Sequence, residues 1–160
     1  MKQIFGAATV LALAVSPVVA FAETTPGKEL AQQVFGSIDT NADGAVDLKG
    51  FMQIGDDIFV SMDSNDDGSI SFEEFSSWDF GFDYIAEEDG KLPAFNTAKR
   101  IVFSYWDWNG DKEISREEYA KSVELDFHRA DANGDAALTE DEFLQGYIVN
   151  LAYRAALTGA

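Results

Sequence analysis

Apolar stretches of helical character alternate with short acidic stretches along most of the chain. Four acidic stretches share one length, and each is followed directly by an aromatic residue: Phe51, Phe75, Tyr119 or Phe143. Their sequences are DTNADGAVDLKG (39–50), DSNDDGSISFEE (63–74), DWNGDKEISREE (107–118) and DANGDAALTEDE (131–142). The alternation predicts an all-α fold in which helices flank four repeated loops, numbered 1 to 4 in chain order.

The spacing of the loops predicts which helices they share. Only the short segment 51–62 separates loop 1 from loop 2, and the equally short segment 119–130 separates loop 3 from loop 4. In the second of these segments Tyr119, Val123 and Phe127 recur at i, i+4 and i+8, which is typical of a single amphipathic helix. A helix of about 15 residues holds the loops at its two ends roughly 20 Å apart, so we expect no pairing between neighbouring loops. Gly55 is a candidate kink in the first shared helix.

A longer segment, 75–106, separates loops 2 and 3, and it contains the turn sequence EEDGKLP between two helical stretches. Such a hairpin would place loops 2 and 3 side by side, with Ile70 and Ile114 in a short β-bridge. Loops 1 and 4 would then pair through Val46 and Leu138. The prediction is one all-α domain over residues 23–160, with about six helices and small β-bridges between paired loops.

Polar residues recur at fixed positions within the four loops. Every loop has Asp at position 1, Asn at position 3, Asp at position 5 and an aliphatic residue at position 8. With this pattern the stretches resemble the calcium loop of EF-hand proteins, and the resemblance extends over nearly all of residues 23–160. Calcium takes six to eight oxygens at roughly 2.3–2.6 Å, and an EF-hand loop supplies them from positions 1, 3, 5, 7, 9 and 12.

The resemblance implies calcium as the bound ion and a ligand set for each of three loops. For loops 2, 3 and 4 the candidates are Asp63, Asn65, Asp67, the Ser69 carbonyl, Ser71 and Glu74; Asp107, Asn109, Asp111, the Glu113 carbonyl, Ser115 and Glu118; and Asp131, Asn133, Asp135, the Ala137 carbonyl, Thr139 and Glu142. The S/T-x-x-E pattern that ends these loops is also that of a helix capping box. Capping does not account for the alternating acids upstream, whose mutual repulsion a cation would relieve.

Position 6 of the family's loop requires a positive φ, which glycine adopts without strain. Glycine occupies this position in loops 1 and 2 as Gly44 and Gly68, whereas loops 3 and 4 have Lys112 and Ala136. A non-glycine residue in this conformation costs on the order of 1 kcal/mol. We therefore expect loops 3 and 4 to bind less tightly than their ligand sets alone indicate.

Loop 1 departs from the pattern at its last ligand. It retains a weak or degenerate ligand set: Asp39, Asn41, Asp43, the Ala45 carbonyl and Asp47. Gly50 occupies position 12, where the bidentate glutamate belongs, and it has no side chain. The sequence therefore predicts a true repeat with an impaired site.

Residues 1–22 have the features of a secretory signal peptide. Lys2 precedes an apolar run from Ile4 to Phe21, and residues 20–22 form an A-x-A cleavage site. Cleavage after Ala22 would make the protein secreted or periplasmic, with no membrane attachment; an uncleaved membrane anchor is the alternative. Cleavage would remove one basic residue, Lys2, and no acidic one, so the net charge would become still more negative than the −18 of the full chain. Such a charge repels nucleic acid and attracts cations or basic partners.

The remaining features favour a binding protein over an enzyme. The chain has no cysteine, which excludes thiolate chemistry, and its single histidine, His128, is expected at a helix end without a catalytic partner. The aromatic run from Phe75 to Ile85 is interpreted as core or, alternatively, as a groove that calcium opens for a protein partner of unknown identity. Calcium buffer and calcium sensor are the two function classes. The short loop spacing is also distantly similar in layout to lanmodulin, which gives a lanthanide as an alternative ion, and Mg²⁺ is another.

Overall fold

The computed structural model describes residues 24–158, so the expected signal peptide lies outside the described residues. Within that range eight helices and four short strands follow one another along the chain. In order they are α1 (Pro26–Ile38), β1 (Ala45–Asp47), α2 (Leu48–Met62), β2 (Ser69–Ser71), α3 (Phe72–Ser77), α4 (Phe82–Glu88), α5 (Leu92–Trp106), β3 (Glu113–Ser115), α6 (Arg116–Ala130), β4 (Ala137–Thr139), α7 (Glu140–Gly146) and α8 (Ile148–Thr158). The fold is all-α, as predicted, because each strand is only a short segment at the centre of a loop.

The strands pair the loops in the predicted combination. β2 and β3 are antiparallel with Ile70 opposite Ile114, and β1 and β4 are antiparallel with Val46 opposite Leu138. All four of these aliphatic side chains are buried. Position 8 of each loop therefore anchors the loop to the core while the polar positions around it remain near the surface.

The two shared helices, α2 and α6, lie side by side in the core. Each has 15 residues and runs from the end of one loop to the start of the next, as the spacing predicted. Ring pairs form at both ends of their contact, between Phe51 and Phe127 and between Phe59 and Tyr119. Gly55 lies between these pairs, and a Cβ atom there would be 3.0 Å from a methyl carbon of Val123. The helices are therefore antiparallel. Helix α2 is uninterrupted through Gly55, and the absence of a side chain there permits the close approach of α6.

The expected count of about six helices is wrong, because the helix that follows each of loops 2 and 4 is short. α3 ends at Ser77, since Trp78 adopts an extended backbone (φ −84°, ψ 126°). The Asp79 carboxylate then accepts hydrogen bonds from the N–H groups of Gly81, Phe82 and Asp83 and so begins α4. α7 ends in the same way, at an extended Tyr147, before α8.

The aromatic run from Phe75 to Ile85 is divided between core and surface. Phe75 and Phe82 are buried, whereas Phe80 and Tyr84 are 47% and 68% exposed. Buried Lys99 of α5 fixes the run in place, since its ammonium group bonds to the Asp83 carboxylate and donates to the Ser76 carbonyl at 2.7 Å. The run therefore contributes Phe75 and Phe82 to the core, while Phe80 in the break and Tyr84 in α4 face solvent.

The hairpin between loops 2 and 3 is present, with α4 and α5 joined by a turn over residues 89–91. His128 is exposed near the end of α6, as expected. Within residues 24–158, no helix has both the length and the apolar character needed to cross a membrane.

Candidate metal centres

The first five positions of each loop form a network of hydrogen bonds from backbone N–H groups to side-chain oxygens. In loop 2 the Asp63 carboxylate accepts from the N–H groups of Asp67 and Gly68, at 3.1 and 3.0 Å. The Asn65 amide oxygen accepts from the Asp67 N–H at 2.8 Å, and an Asp67 carboxylate oxygen accepts from the Ser69 N–H at 2.9 Å. These bonds hold side-chain oxygens of Asp63, Asn65 and Asp67 at one turn, and each of the three side chains retains an oxygen lone pair for a cation.

The same network recurs in the other three loops. The position-1 carboxylates of Asp39, Asp107 and Asp131 accept from the N–H of position 6 at 2.9–3.0 Å. The position-3 asparagines accept from the N–H of position 5, and the position-5 aspartates accept from the N–H of position 7. Loop 1 shares this part of the scaffold fully, so it is a structural repeat despite its missing ligand.

Position 12 connects the two ends of loops 2, 3 and 4. Glu74 accepts from the N–H groups of Ser64 and Asn65 with one oxygen, and from the N–H and hydroxyl of Ser71 with the other. Glu118 and Glu142 bridge the start of their loops and position 9 in the same way. The glutamate thus takes part in the capping box and also reaches the beginning of the loop, so capping does not exclude a ligand role.

The hydrogen bonds lower the pKa of several loop carboxyls. The backbone and hydroxyl of Ser69 lower the pKa of Asp67, those of Ser71 lower the pKa of Glu74, and those of Thr139 lower the pKa of Glu142. For Glu118, burial raises the pKa, but hydrogen bonds from Ser115, Asn109 and Trp108 together lower it by more, so its pKa also lies below the ordinary value. These groups are ionised at neutral pH, the state that a hard cation requires.

Backbone strain is distributed more evenly among the loops than position 6 alone predicted. Lys112 and Ala136 do adopt positive φ, at 77° and 66°. Position 4 is positive as well, and it holds Ala42 and Asp66 in loops 1 and 2 but Gly110 and Gly134 in loops 3 and 4. Every loop therefore has one glycine and one strained residue, and the expected penalty specific to loops 3 and 4 does not hold. Loop 2 has the least strain, because aspartate tolerates this conformation better than alanine or lysine.

Loop 1 lacks the closure found in the other loops. The Asp47 carboxylate caps α2 by accepting from the Gly50 N–H at 2.7 Å, and the Thr40 N–H donates to the Ile38 carbonyl rather than to a glutamate. The oxygens of positions 1, 3 and 5 are thus arranged as in loop 2, but no side chain joins the end of the loop to its beginning.

A side-chain contact joins the paired loops 2 and 3. The Ser69 hydroxyl lies 2.9 Å from the Glu113 carboxylate and 2.9 Å from the Asp67 carboxylate. Both Ser69 and Glu113 occupy position 7, whose candidate ligand is the backbone carbonyl, so the side chains of this position connect the two paired loops. Among the described residues no three acidic or histidine side chains form a metal cluster on their own, and the donor sets depend on asparagine and backbone oxygens as well.

A family comparison decides what these loops are. The family model described as EF hand matches the chain twice, over residues 30–53 and 56–77. Residues 30–53 and 56–77 are therefore EF-hand motifs. The matched ranges contain loops 1 and 2, and loops 3 and 4 share the hydrogen-bond network described above. EF hands bind calcium, and the match supports that ion in general; it does not confirm the similarity to lanmodulin. Comparison with curated proteins gave no significant match.

Proposed function

We propose that this EF-hand protein is exported and binds three calcium ions, one in each of loops 2, 3 and 4. The observation that supports this number is the glutamate at position 12, which in three loops reaches both ends of the loop and in loop 1 is replaced by Gly50. Calcium, rather than a lanthanide or Mg²⁺, is the ion expected from an EF-hand donor set of this kind.

Within that class, a calcium buffer or store is the function that the architecture favours. A sensor EF-hand opens by changing the angle between the helices that flank its loop. Here α2 is the exit helix of loop 1 and the entering helix of loop 2, and α6 has the same double role for loops 3 and 4. Since α2 and α6 also pack against each other, rotation at one loop would disturb three others. The arrangement therefore opposes a large change in the angle between the helices that flank each loop.

A sensor or adaptor for a dedicated partner is the second candidate, and one observation favours it. Phe80 and Tyr84 are exposed in the segment that follows the exit helix of loop 2. A partner that docks there would carry basic groups, because the chain is strongly acidic. EF-hand proteins typically bind calcium without catalysing a reaction, and we propose no enzymatic activity for this one.

The fluorescence of a hydrophobic dye distinguishes buffer from sensor. The folded, calcium-saturated buffer should bind the dye weakly, and Phe80→Ser with Tyr84→Ser should not change the signal much. A strong increase on saturation, abolished by that double variant, would indicate a sensor surface instead.

Cell fractionation with and without residues 1–22 tests export. If these residues direct export, the protein should remain in the cytoplasm when they are deleted.

A further inference from the structure

A cavity of about 80 Å³ lies beside the contact between the shared helices. Buried side chains form its floor, among them Phe75, Trp106 and Phe143, and the partly exposed Val34, Trp78 and Phe80 lie at its mouth. Asp79 is the one charged residue among its lining side chains. The cavity is therefore apolar, reachable from solvent, and distinct from the four metal loops.

Three tyrosines give this apolar cavity a polar component. Tyr119, Tyr147 and Tyr153 all line it, and Tyr119 and Tyr153 are only 3% and 9% exposed. Within residues 24–158, none of the three hydroxyls has a hydrogen-bond partner, although each ring is packed edge-on against a neighbouring aromatic ring. Within the described residues Arg154 Nε is the one buried side-chain polar atom without a partner, so the three hydroxyls retain accessible surface and can donate to a group that enters the cavity.

Burial also fixes the chemical state of these hydroxyls. Desolvation raises the pKa of Tyr119, Tyr147 and Tyr153 well above the ordinary value for a phenol. Each therefore remains a neutral hydrogen-bond donor under physiological conditions. A group that enters the cavity would satisfy them by accepting a hydrogen bond.

The size of the cavity limits the ligand. A water needs about 10–15 Å³ of such volume, so the space corresponds to roughly five to eight waters, which is similar to one six-membered ring. An anionic ligand is disfavoured by Asp79 at the mouth and by the net charge of the chain.

We propose that this cavity is a binding site for a small uncharged ligand, a single apolar ring bearing a carbonyl or similar hydrogen-bond acceptor. The ring would occupy the apolar floor, and its acceptor would receive hydrogen bonds from the tyrosine hydroxyls. This site is additional to the calcium function and does not depend on it.

Three probes of similar shape test the proposal on the calcium-saturated protein: acetophenone, isopropylbenzene and benzoate. Binding is measured from the shifts of backbone amide signals, including that of Gly55 in the cavity wall, during titration. Acetophenone should bind saturably, and benzoate should bind at least about tenfold more weakly. In the triple variant Tyr119→Phe/Tyr147→Phe/Tyr153→Phe, acetophenone should lose about fivefold in affinity, whereas isopropylbenzene should lose nothing.

Two further variants locate the site and serve as controls. Tyr105→Phe removes an exposed hydroxyl that does not line the cavity, and it should leave all three affinities unchanged. Ile58→Trp fills the cavity from its rim and should abolish binding of both neutral probes. The proposal is overturned if acetophenone does not bind saturably, if the triple variant weakens both neutral probes equally, or if folded Ile58→Trp still binds them.

Discussion

Gly50 and Asp47 together distinguish loop 1 from the other loops at the scale of single residues. A Cβ atom on Gly50 would lie 3.1 Å from an Asp47 carboxylate oxygen and 3.6 Å from a methyl carbon of Val46. The loops that have glutamate at position 12 have the shorter serine or threonine at position 9. Loop 1 therefore differs from a complete site at two linked positions, and restoring only the glutamate would crowd the cap of α2.

Restoring both positions should create a fourth calcium site. Asp47→Ser with Gly50→Glu reproduces the Ser-x-x-Glu ending of loop 2 on a scaffold that already matches at positions 1, 3 and 5. We expect one additional binding event in a calcium titration, and weaker or partial gain with Gly50→Glu alone. Glutamate also improves helix propensity and the helix dipole there, so the ion count is the measurement that decides, and stability is not.

The control adds Asp39→Ala to the double variant. It removes the first ligand while retaining the benefit to the helix, and it should eliminate the additional ion. Survival of the fourth event in this triple variant would place the new site outside loop 1.

A second residue-scale feature is the buried carboxylate of Asp126 in α6, the helix that joins loops 3 and 4. It is fully buried, and it accepts hydrogen bonds from the Trp106 indole at 2.9 Å and from Arg129 at 2.8 Å. Burial raises its pKa to about 6, although Trp106 and Arg129 oppose the shift. The unfolded value is about 3.9. The folded state therefore binds more protons, and this contribution to stability is present below about pH 4 and lost as the pH rises through 6.

Asp126→Asn should remove that pH dependence. The amide oxygen can still accept from Trp106, and half-exposed Arg129 is solvated without its partner. The difference in the free energy of unfolding, variant minus unmodified protein, should become more positive by up to about 3 kcal/mol when the pH is raised from 4 to 7.5. Urea unfolding of both proteins at both pH values measures this difference. The loop carboxyls have a lowered pKa, which changes stability in the opposite direction, but their contribution is the same in both proteins and cancels in the comparison. An unchanged difference would show that Asp126 is not the responsible group.

The pair of shared helices is the main feature at the scale of elements. Helix α2 has a glycine at its centre, where a side chain would collide with Val123 of α6. Gly36 of α1 is also helical but exposed, and a Cβ atom there meets nothing within 4 Å. A substitution at Gly36 therefore changes helix propensity alone, whereas one at Gly55 also changes the packing between α2 and α6.

Leucine at each of these positions should act in opposite directions. Gly55→Leu should lower the free energy of unfolding by about 2–3 kcal/mol, because the crossing of α2 and α6 becomes overpacked. Gly36→Leu should raise it by up to about 1 kcal/mol through helix propensity alone. Equal effects of the two substitutions in chemical denaturation would contradict the packing role of Gly55.

Much of this arrangement could be predicted from sequence because the repeats constrain it. The short segments 51–62 and 119–130 can each hold only one helix, so the pairing of loops 1 with 4 and 2 with 3 followed from geometry. The break at Trp78 was missed, because it depends on an Asp79 cap that resembles any acidic turn. The positive φ at position 4 was missed since Ala42 and Asp66 give no local signal, and the tyrosine cavity was missed because it joins residues distant in sequence.

At the scale of the whole molecule, charge and metal binding are linked. The 29 acidic residues outnumber the basic ones by 18, and each loop concentrates several of them in one turn. Repulsion among these carboxylates opposes the folded state when no cation is present. Binding of calcium to the folded state alone then adds stability by mass action.

Calcium should therefore raise the melting temperature by at least about 10 °C relative to the protein in chelator at low salt. The matched control is the variant Glu74→Gln/Glu118→Gln/Glu142→Gln, which retains the capping bonds but loses three charged ligands, and most of the rise should disappear in it. Identical melting curves with and without chelator would contradict the claim that calcium bound in the loops stabilises the folded protein.

The central claim, that three of the four loops bind calcium, is tested most directly by isothermal titration calorimetry with calcium. The predicted result is three ions per chain at sub-millimolar calcium, with loop 2 the tightest because it has a complete ligand set and the least backbone strain. Glu74→Gln should then remove the tightest event and leave two. Four ions of equal affinity, or fewer than two, would contradict the account.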